Sequence, residues 1–288
     1  MPAPAELPTE YLQQSASLAS RIAAERCPNS GADCAWYHAT WPLWRLLGVG
    51  SGPAIHNAFF RNAIASLPHQ PRARVLISGS ADQGMLMVAL DAFRRAGIEP
   101  DFTVLDRCDT PLALCRVHAE RLDLAIHTVA KDIRDFEPDV PFDIACTHAF
   151  VGYFAPSERP DLARAWQRQL RPGGHLLTVN RLRPDALPEP IGFTTAQVEA
   201  FVATILDRAP ALLPNQDLDL LESLARTYAA RIAFHPVHTE QDLSGPLCEA
   251  GFEVDIRTEL LPPRPGGPTG PTVPGNALYA LIVATSRG

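Results

Sequence analysis

The sequence predicts an α/β fold built on a doubly wound, mostly parallel sheet with an antiparallel last strand. Between residues 74 and 179, short apolar runs alternate with helical patterns at the spacing of strand–helix–strand units. Two later apolar runs, 252–257 and 277–285, follow each other without an intervening helix. Consecutive strands joined by a loop pair antiparallel, so the last strand is expected to insert into the sheet or lie at its edge.

The predicted elements follow in chain order. Residues 1–70 are expected to form a helical N-terminal cap or lid, because apolar residues recur at helical spacing over residues 12–23. The second unit is expected to cover residues 71–288, with a helical insertion at 183–238 that holds helices near 195–208 and 216–232. The predicted strands are 74–79, 102–106, 124–130, 142–147, 175–179, 252–257 and 277–285. The predicted helices between them are 83–96, 112–121, 159–170 and 240–250.

Composition excludes several classes of protein. The chain has 288 residues, 46% of them apolar, and a formal net charge of −7. No stretch reaches the ~18 consecutive apolar residues of a membrane helix, and the first residues lack the basic, apolar pattern of a secretory signal. The acidic balance argues against binding to a nucleic-acid backbone. We therefore expect a globular cytoplasmic protein with no membrane or nucleic-acid partner.

The cysteines and histidines give no recognisable metal motif. Six cysteines contain no C-x-x-C pair, and His235 and His238 have no cysteine near them in sequence. A cytoplasmic chain of this size usually carries cysteine as a small buried apolar residue. We expect no metal site.

A glycine loop follows the first predicted strand. Residues 79–84 match G-x-G-x-x-G with Ala81 in place of the middle glycine, and Asp106 ends the next strand 22 residues after Gly84. This pattern makes a nicotinamide-dependent oxidoreductase one candidate. However, Ala81 narrows the approach to a pyrophosphate, and Asp82 would repel a phosphate charge by about 4 kcal/mol at ~4 Å and an effective dielectric constant of 20. A cationic or zwitterionic cofactor fits the loop better.

The order of elements from residue 75 to residue 287 resembles the class I S-adenosylmethionine-dependent methyltransferases. The similarity is carried by the loop 78–84, by Asp106 and Asp132 after the second and third strands, and by the fourth strand Phe142-Asp143-Ile144-Ala145. The most specific string is Leu-Arg-Pro-Gly-Gly-His-Leu-Leu at 170–177, the turn before the fifth strand. The family loop usually reads acid-x-G-x-G-x-G, whereas this chain has Ile77 at the acidic position and Ala81 at a glycine position.

The resemblance implies a Rossmann-like fold, S-adenosyl-L-methionine as the cofactor and a set of binding residues. Gly79, Ser80 and Gly84 would bring backbone close to the methionine end, and Asp82 would replace the missing acid. Asp106 would accept hydrogen bonds from the ribose hydroxyls. Around the adenine, Arg107 would flank the ring, Asp132 would accept from the amine, and Ile133 would pack nearby. Thr147 and His148, at the end of the fourth strand, would face the cofactor and the methyl acceptor.

The aromatic segment 36–44 has two interpretations. Tyr37, Trp41 and Trp44 share one helical face, although Pro42 could instead mark a helix start. The segment is either a hydrophobic anchor for the cap or a lid in which Trp36, Tyr37 and Trp41 contact the substrate.

We expect direct in-line methyl transfer to a small-molecule acceptor, which needs a base only if the nucleophile is a hydroxyl of high pKa. His148 is the first candidate base and His38 the second. Residues 183–259 hold 13 acidic residues against five arginines, which favours a neutral or cationic acceptor. The alternatives are the nicotinamide-dependent oxidoreductase and a non-catalytic protein of the same fold. The N-terminal helix could pack internally or against a second copy, forming a homodimer.

Overall fold

The computed structural model describes residues 9–215, 217–262, 271 and 276–288. Its centre is a seven-stranded sheet with the strand order β3-β2-β1-β4-β5-β7-β6. The strands are β1 Arg72–Ser78, β2 Glu99–Asp106, β3 Ile126–Ala130, β4 Phe142–His148, β5 Leu170–Leu182, β6 Phe252–Leu261 and β7 Ala277–Ser286. The first five are parallel to one another, and β7 lies antiparallel between β5 and β6. The predicted α/β class is confirmed, with the last strand inserted into the sheet.

Helices cover the sheet and precede it. They are α1 Thr9–Arg26, α2 Ala35–His38, α3 Trp41–Leu46, α4 Asn57–Ser66, α5 Gly84–Ala96, α6 Asp109–Arg121, α7 Arg159–Gln169, α8 Thr195–Leu212, α9 Leu218–Arg231 and α10 Gln241–Glu249. The first four come before β1, and α8 and α9 lie within the predicted insertion. Among the described helices, none has the length and apolar character needed to cross a bilayer.

Local sequence explains several helix ends. Gly97 ends α5 in the left-handed conformation, with φ of 69°. Thr194 begins α8 with a capping box, because its hydroxyl accepts from the Gln197 amide and the Gln197 side chain accepts from the Thr194 amide. The Asp217 carboxylate caps α9 by accepting from the amides of Asp219 and Leu220.

Side chains from both faces of the sheet are buried, as expected for parallel strands between two helical layers. Val75 and Ile77 of β1 pack with α5 on one face, whereas Leu76 faces Trp166 of α7 on the other. This alternation explains why β1 is an almost continuous apolar run in the sequence.

A third apolar cluster joins the N-terminal helices to the inserted ones. Trp44 of α3 is 1% exposed and contacts the rings of Phe201 in α8 and Tyr228 in α9. The apolar face of α1 is also buried within the chain, at Ala16, Ala19 and Ala23. The N-terminal helices therefore pack against the rest of the molecule. The boundaries proposed for the cap and the insertion, and the homodimer, stay predictions.

The structure refines two expectations. The turn predicted at 171–174 belongs to β5, which begins at Leu170 and has an irregular pairing with β4 between Phe142 and Ile144. Gly173 has φ of 73° there, so the glycine is needed where the chain changes direction. The aromatic segment forms two short helices, α2 and α3, and Pro42 lies in the first turn of α3.

Candidate functional site

A cavity of about 530 Å³ lies at the carboxyl ends of the central strands, near the N-terminal helices and the α8–α9 region. The carboxyl edge is where an open α/β sheet binds ligands. Twelve of the fourteen residues predicted for the site line it: Trp36, Tyr37, His38, Trp41, Gly79, Ser80, Asp82, Asp106, Arg107, Asp132, Ile133 and His148.

Gly84 and Thr147 do not line this cavity. Gly84 begins α5, and its amide donates to the Asp82 carboxylate at 2.7 Å. Thr147 is fully buried in β4, and its hydroxyl has no hydrogen-bond partner among the described residues. Gly84 thus supports the loop from within it, while Thr147 lies behind the cavity wall.

The loop after β1 requires glycine at position 79. Gly79 has φ of 72°, and a Cβ added there would lie 2.3 Å from the Phe150 ring. The backbone conformation and the close aromatic neighbour both exclude a larger residue. Phe150, which follows β4, therefore covers the first turn of the loop.

Asp82 is held by a residue that the sequence did not single out. Arg45 of α3 forms an ion pair with the Asp82 carboxylate, and the two side chains are 6% and 3% exposed. The other carboxylate oxygen accepts from Gly84. Since Arg45 balances its charge, Asp82 opposes a phosphate much less than its position in the sequence indicates. In this structure Asp82 links α3 of the N-terminal region to the loop after β1.

Asp106 lies at the end of β2 and faces the cavity. Its two carboxylate oxygens accept from the amides of Cys108 at 2.8 Å and Ser80 at 3.0 Å. Burial raises the pKa of Asp106, against the opposing effect of His38 and these amides. The two backbone bonds fix the orientation of the carboxylate and leave it acceptor positions directed at a ligand.

Asp132 follows β3 and forms a bidentate pair with Arg134, with N–O distances of 3.0 and 2.9 Å. Hydrogen bonding from the Arg134 guanidinium lowers the pKa of Asp132. Arg134 also reaches Glu158, so the pair is fixed from both sides. Ile133 is 4% exposed and adds an apolar surface beside it.

His148 ends β4 and pairs with a second histidine. Its Nε2 lies 2.9 Å from Nδ1 of His56, so one ring donates and the other accepts. The His56 ring is 2% exposed and packs edge-on against Tyr279 at 4.5 Å. Ala149 follows with φ of 53°, a conformation that costs a non-glycine residue energy and is common at functional sites. Only the fold reveals His56, because it lies 92 residues away from His148 in sequence.

Aromatic side chains form the wall contributed by α2, α3 and α9. Tyr37 stacks on Trp41 at 5.5 Å and on Tyr228 at 6.1 Å. Its hydroxyl lies 3.1 Å from that of Tyr153, and burial raises the pKa of Tyr153 to about 12. Both hydroxyls therefore stay protonated near neutral pH, and one of them donates to the other. The segment provides the anchor through Trp44 and part of the cavity wall through Trp36, Tyr37 and Trp41.

Two arginines at the end of β5 add positive charge to the cavity. Arg181 lies in β5 and Arg183 directly follows the strand, and residues two positions apart in an extended chain point to the same side. Within the described residues, neither guanidinium has a carboxylate within 4.0 Å, and the Nε of Arg181 is buried without a hydrogen-bond partner. Burial, and then the charge of Arg181, lower the pKa of Arg183 to about 10. Both remain charged at neutral pH.

His38 points to a group of thiols. It is 7% exposed and interacts with the thiols of Cys108 and Cys34. These interactions raise the pKa of His38 to about 9, although burial opposes the change. Its place beside the thiols separates it from the His56–His148 pair.

Comparison with known proteins supports the fold. Residues 83–178 match the family described as the methyltransferase domain. That segment begins in the glycine loop and ends in β5, and it includes Asp106, Asp132 and His148. No curated protein matches the sequence.

Solved structures with the same fold share little sequence with this chain. The YcgJ protein of Bacillus subtilis is 14% identical, with a TM-score of 0.52, over 81% of this chain and 100% of that one. A protein of Bacillus halodurans described as a methyltransferase is 16% identical, with a TM-score of 0.50, over 81% and 99% of the two chains. A protein of Methanosarcina mazei described as an S-adenosylmethionine-dependent methyltransferase is 18% identical, with a TM-score of 0.48, over 82% and 98%.

Proposed function

We propose that this chain is a class I S-adenosylmethionine-dependent methyltransferase that transfers a methyl group to a small-molecule acceptor; its residues 83–178 match the methyltransferase domain family. The observation that carries the proposal is the position of Gly79, Asp106 and Asp132 at three neighbouring strand ends around one cavity. The comparisons match methyltransferases and do not favour the nicotinamide-dependent oxidoreductase.

The residues present fit S-adenosylmethionine. Gly79 gives the close backbone approach, Asp106 offers a carboxylate already oriented by two amides, and Ile133 and Leu105 offer apolar surface. Asp132 is oriented by Arg134 at the next strand end. When bound, this cofactor supplies an electrophilic methyl group on a sulfonium. The protein then mainly has to align the acceptor and exclude water.

The side of the cavity assigned to the acceptor is lined by aromatic and cationic side chains. Tyr37, Tyr153 and Phe234 provide aromatic walls, and Arg181 and Arg183 provide the cationic end. Partly buried cations without a carboxylate partner favour a ligand that brings a negative charge. The arginines therefore support a planar acceptor that carries a carboxylate or phosphate. This is a different preference from the neutral or cationic acceptor that the charge count of residues 183–259 favoured.

His148 is the base that the geometry supports best for a hydroxyl acceptor. It lies at a strand end in the cavity, and its Nε2 is fixed by His56. A histidine can take a proton near neutral pH if its other nitrogen is oriented by a partner. His38 is less suitable because its ring lies among thiols.

Binding to the Asp106→Asn variant tests the assignment of the cofactor site. We expect at least about 10-fold weaker binding of S-adenosylhomocysteine, since a charged acceptor for two hydroxyls is replaced by a neutral group with one acceptor oxygen. Asp101→Asn is the matched control, because Asp101 lies at the other end of β2. Equal affinity of Asp106→Asn and wild type in isothermal titration would remove Asp106 from the binding site.

The arginine assignment has a separate test. In the presence of S-adenosylhomocysteine, we expect a hydroxybenzoate to raise the melting temperature and its uncharged methyl ester to have a smaller effect. Arg183→Met should abolish the difference between acid and ester. An equal response to the two probes in wild type and variant would contradict an anionic acceptor.

A further inference from the structure

Three cysteines that are far apart in sequence meet in the fold. Cys27 follows α1, Cys34 precedes α2, and Cys108 precedes α6. Their Sγ atoms all lie within 4.8 Å of one another, and those of Cys27 and Cys108 are 3.6 Å apart. Cys27 and Cys108 are each 2% exposed. Such a group of thiols is unusual for cysteines that serve only as small apolar residues.

His38 lies beside this cluster of three cysteines. Its ring interacts with the thiols of Cys108 and Cys34. Its Nδ1 is buried and has no hydrogen-bond partner among the described residues. A buried polar atom without a partner is costly, so a ligand at this nitrogen would remove the cost.

We propose that Cys27, Cys34, Cys108 and His38 form a binding site for a thiolate-preferring divalent metal ion, of which zinc is the best match. Three sulfurs and one imidazole nitrogen are an established tetrahedral donor set for this ion. Zinc–sulfur bonds of about 2.3 Å in a tetrahedron place the sulfurs about 3.8 Å apart, close to the observed Cys27–Cys108 distance. The proposal runs against the expectation from sequence that the chain has no metal site, and that expectation stays a prediction until zinc binding is measured.

The charges and protons of the site balance. On binding, each protonated thiol and the protonated His38 ring lose a proton to solvent, and the ion is held by three thiolates and a neutral imidazole. The bound cluster carries one net negative charge.

The position of the cluster gives the ion a structural task. Cys27, Cys34 and His38 come from the N-terminal helices, whereas Cys108 lies two residues after Asp106 at the end of β2. A bound ion would cross-link the helices that form one wall of the cavity to the strand end that holds Asp106. It would order this wall without entering the reaction.

The test measures metal binding without cofactor or acceptor, so its result does not depend on the proposed function. Full-length protein is reduced, loaded with zinc, desalted and measured for metal and protein. We expect about one equivalent for wild type and at least about 100-fold weaker affinity for Cys34→Ser and Cys27→Ser, measured by competition with a chromophoric chelator. Cobalt substitution should give the intense absorption of tetrahedral thiolate coordination.

Two controls keep the test decisive. Cys248→Ser removes an exposed cysteine elsewhere and should bind zinc like wild type. Circular dichroism of each variant, compared with metal-stripped wild type, separates loss of a ligand from loss of the fold. His38→Gln should weaken binding while three thiols remain.

Three results would overturn the proposal. They are failure of wild type to bind zinc, binding by Cys34→Ser as tight as wild type, and a Cys27–Cys108 disulfide in the native protein whose reduction does not allow zinc to bind. Peptide mapping after alkylation detects the disulfide.

Discussion

At the scale of single residues, Gly79 shows how one position sets the shape of the cofactor loop. Its φ is positive, and the Phe150 ring occupies the space where a side chain would go. Alanine at position 79 would therefore have an unfavourable backbone conformation, and its Cβ would collide with the Phe150 ring unless the loop or the ring moved.

Gly79→Ala is expected to lower the melting temperature and to weaken binding of S-adenosylhomocysteine, because the loop must shift against Phe150. Gly97→Ala is the matched control. Gly97 has a similar φ of 69°, but an added Cβ meets nothing within 4 Å. We expect Gly97→Ala to lower stability by about 1 kcal/mol with no effect on binding. If the two variants bound the ligand equally well, the loop would not contribute to the site.

His148 is the residue expected to act as the general base. Once a hydroxyl acceptor is identified, His148→Gln should lower kcat about 100-fold or more and leave cofactor affinity unchanged. His56→Asn should have a smaller effect, since it removes only the partner that orients His148. Full activity of His148→Gln across pH 6–9 would show that this reaction uses another base or none.

At the scale of elements, a buried hydrogen-bond chain joins α1 to the start of α5 and to α6. The Ser15 hydroxyl of α1 lies 2.7 Å from the His118 ring and accepts a hydrogen bond from the side-chain amide of Gln83 at 2.7 Å. His118 is fully buried. Burial is the main cause that lowers the pKa of His118 to about 4. The His118 ring is therefore neutral near pH 7.

These hydrogen bonds around His118 predict that the stability of the folded protein falls in acid. Because the pKa of His118 is lower in the folded state than the ordinary 6.5, its contribution to stability is complete above pH 6.5 and is lost as the pH falls to about 4. The loss amounts to about 3 kcal/mol. Urea unfolding of His118→Gln at several pH values should show a shallower decline over this range than wild type. Parallel declines would contradict a buried neutral His118.

Trp44 packs α3 against the inserted helices α8 and α9. Trp44→Ala should cost about 3–5 kcal/mol, because a fully buried indole leaves a large cavity against Phe201 and Tyr228. Trp36→Ala, at a partly exposed ring, should cost clearly less in urea unfolding. Equal losses would mean that α3 is not the anchor.

The elements that the sequence predicted well are those with strong periodic signals. The apolar runs of β1, β2, β4 and β7 and the amphipathic α8 and α9 follow from residues that are neighbours in the chain. The start of β5 was harder to predict. Leu170 pairs with Phe142, and the regular pairing resumes only at His175 with Ile144, so residues 171–174 lie in an irregular part of the strand and have a sequence typical of a turn.

From sequence alone, candidate residues could be placed at strand ends, but their partners from distant segments could not. Asp106 and Asp132 line the cavity as predicted, because an acid at the end of a parallel strand has a defined place. Arg45, His56 and the cysteine cluster have no local pattern. Arg45 meets Asp82 across 37 residues, and Cys27 meets Cys108 across 81. Only the packing of the N-terminal helices brings these groups together.

At the scale of the whole molecule, the cavity lies where the strand ends, the N-terminal helices and α9 meet. The parallel strands supply Gly79, Asp106 and His148, the N-terminal helices supply Tyr37, and α9 supplies Tyr228. The elements that close the cavity are held by the Arg45–Asp82 ion pair, the Trp44 cluster and the Ser15 hydrogen bonds. Ligand binding should therefore depend on the docking of the N-terminal helices as well as on the strand ends.

The most direct test of the central claim is isothermal titration of the purified protein with S-adenosylmethionine, S-adenosylhomocysteine and NADH. A methyltransferase site predicts saturable binding of both adenosyl ligands at one site per chain and no heat of binding from NADH. Binding of NADH alone would contradict the claim and restore the oxidoreductase. No binding of any of the three would leave a methyltransferase fold that does not use this cofactor.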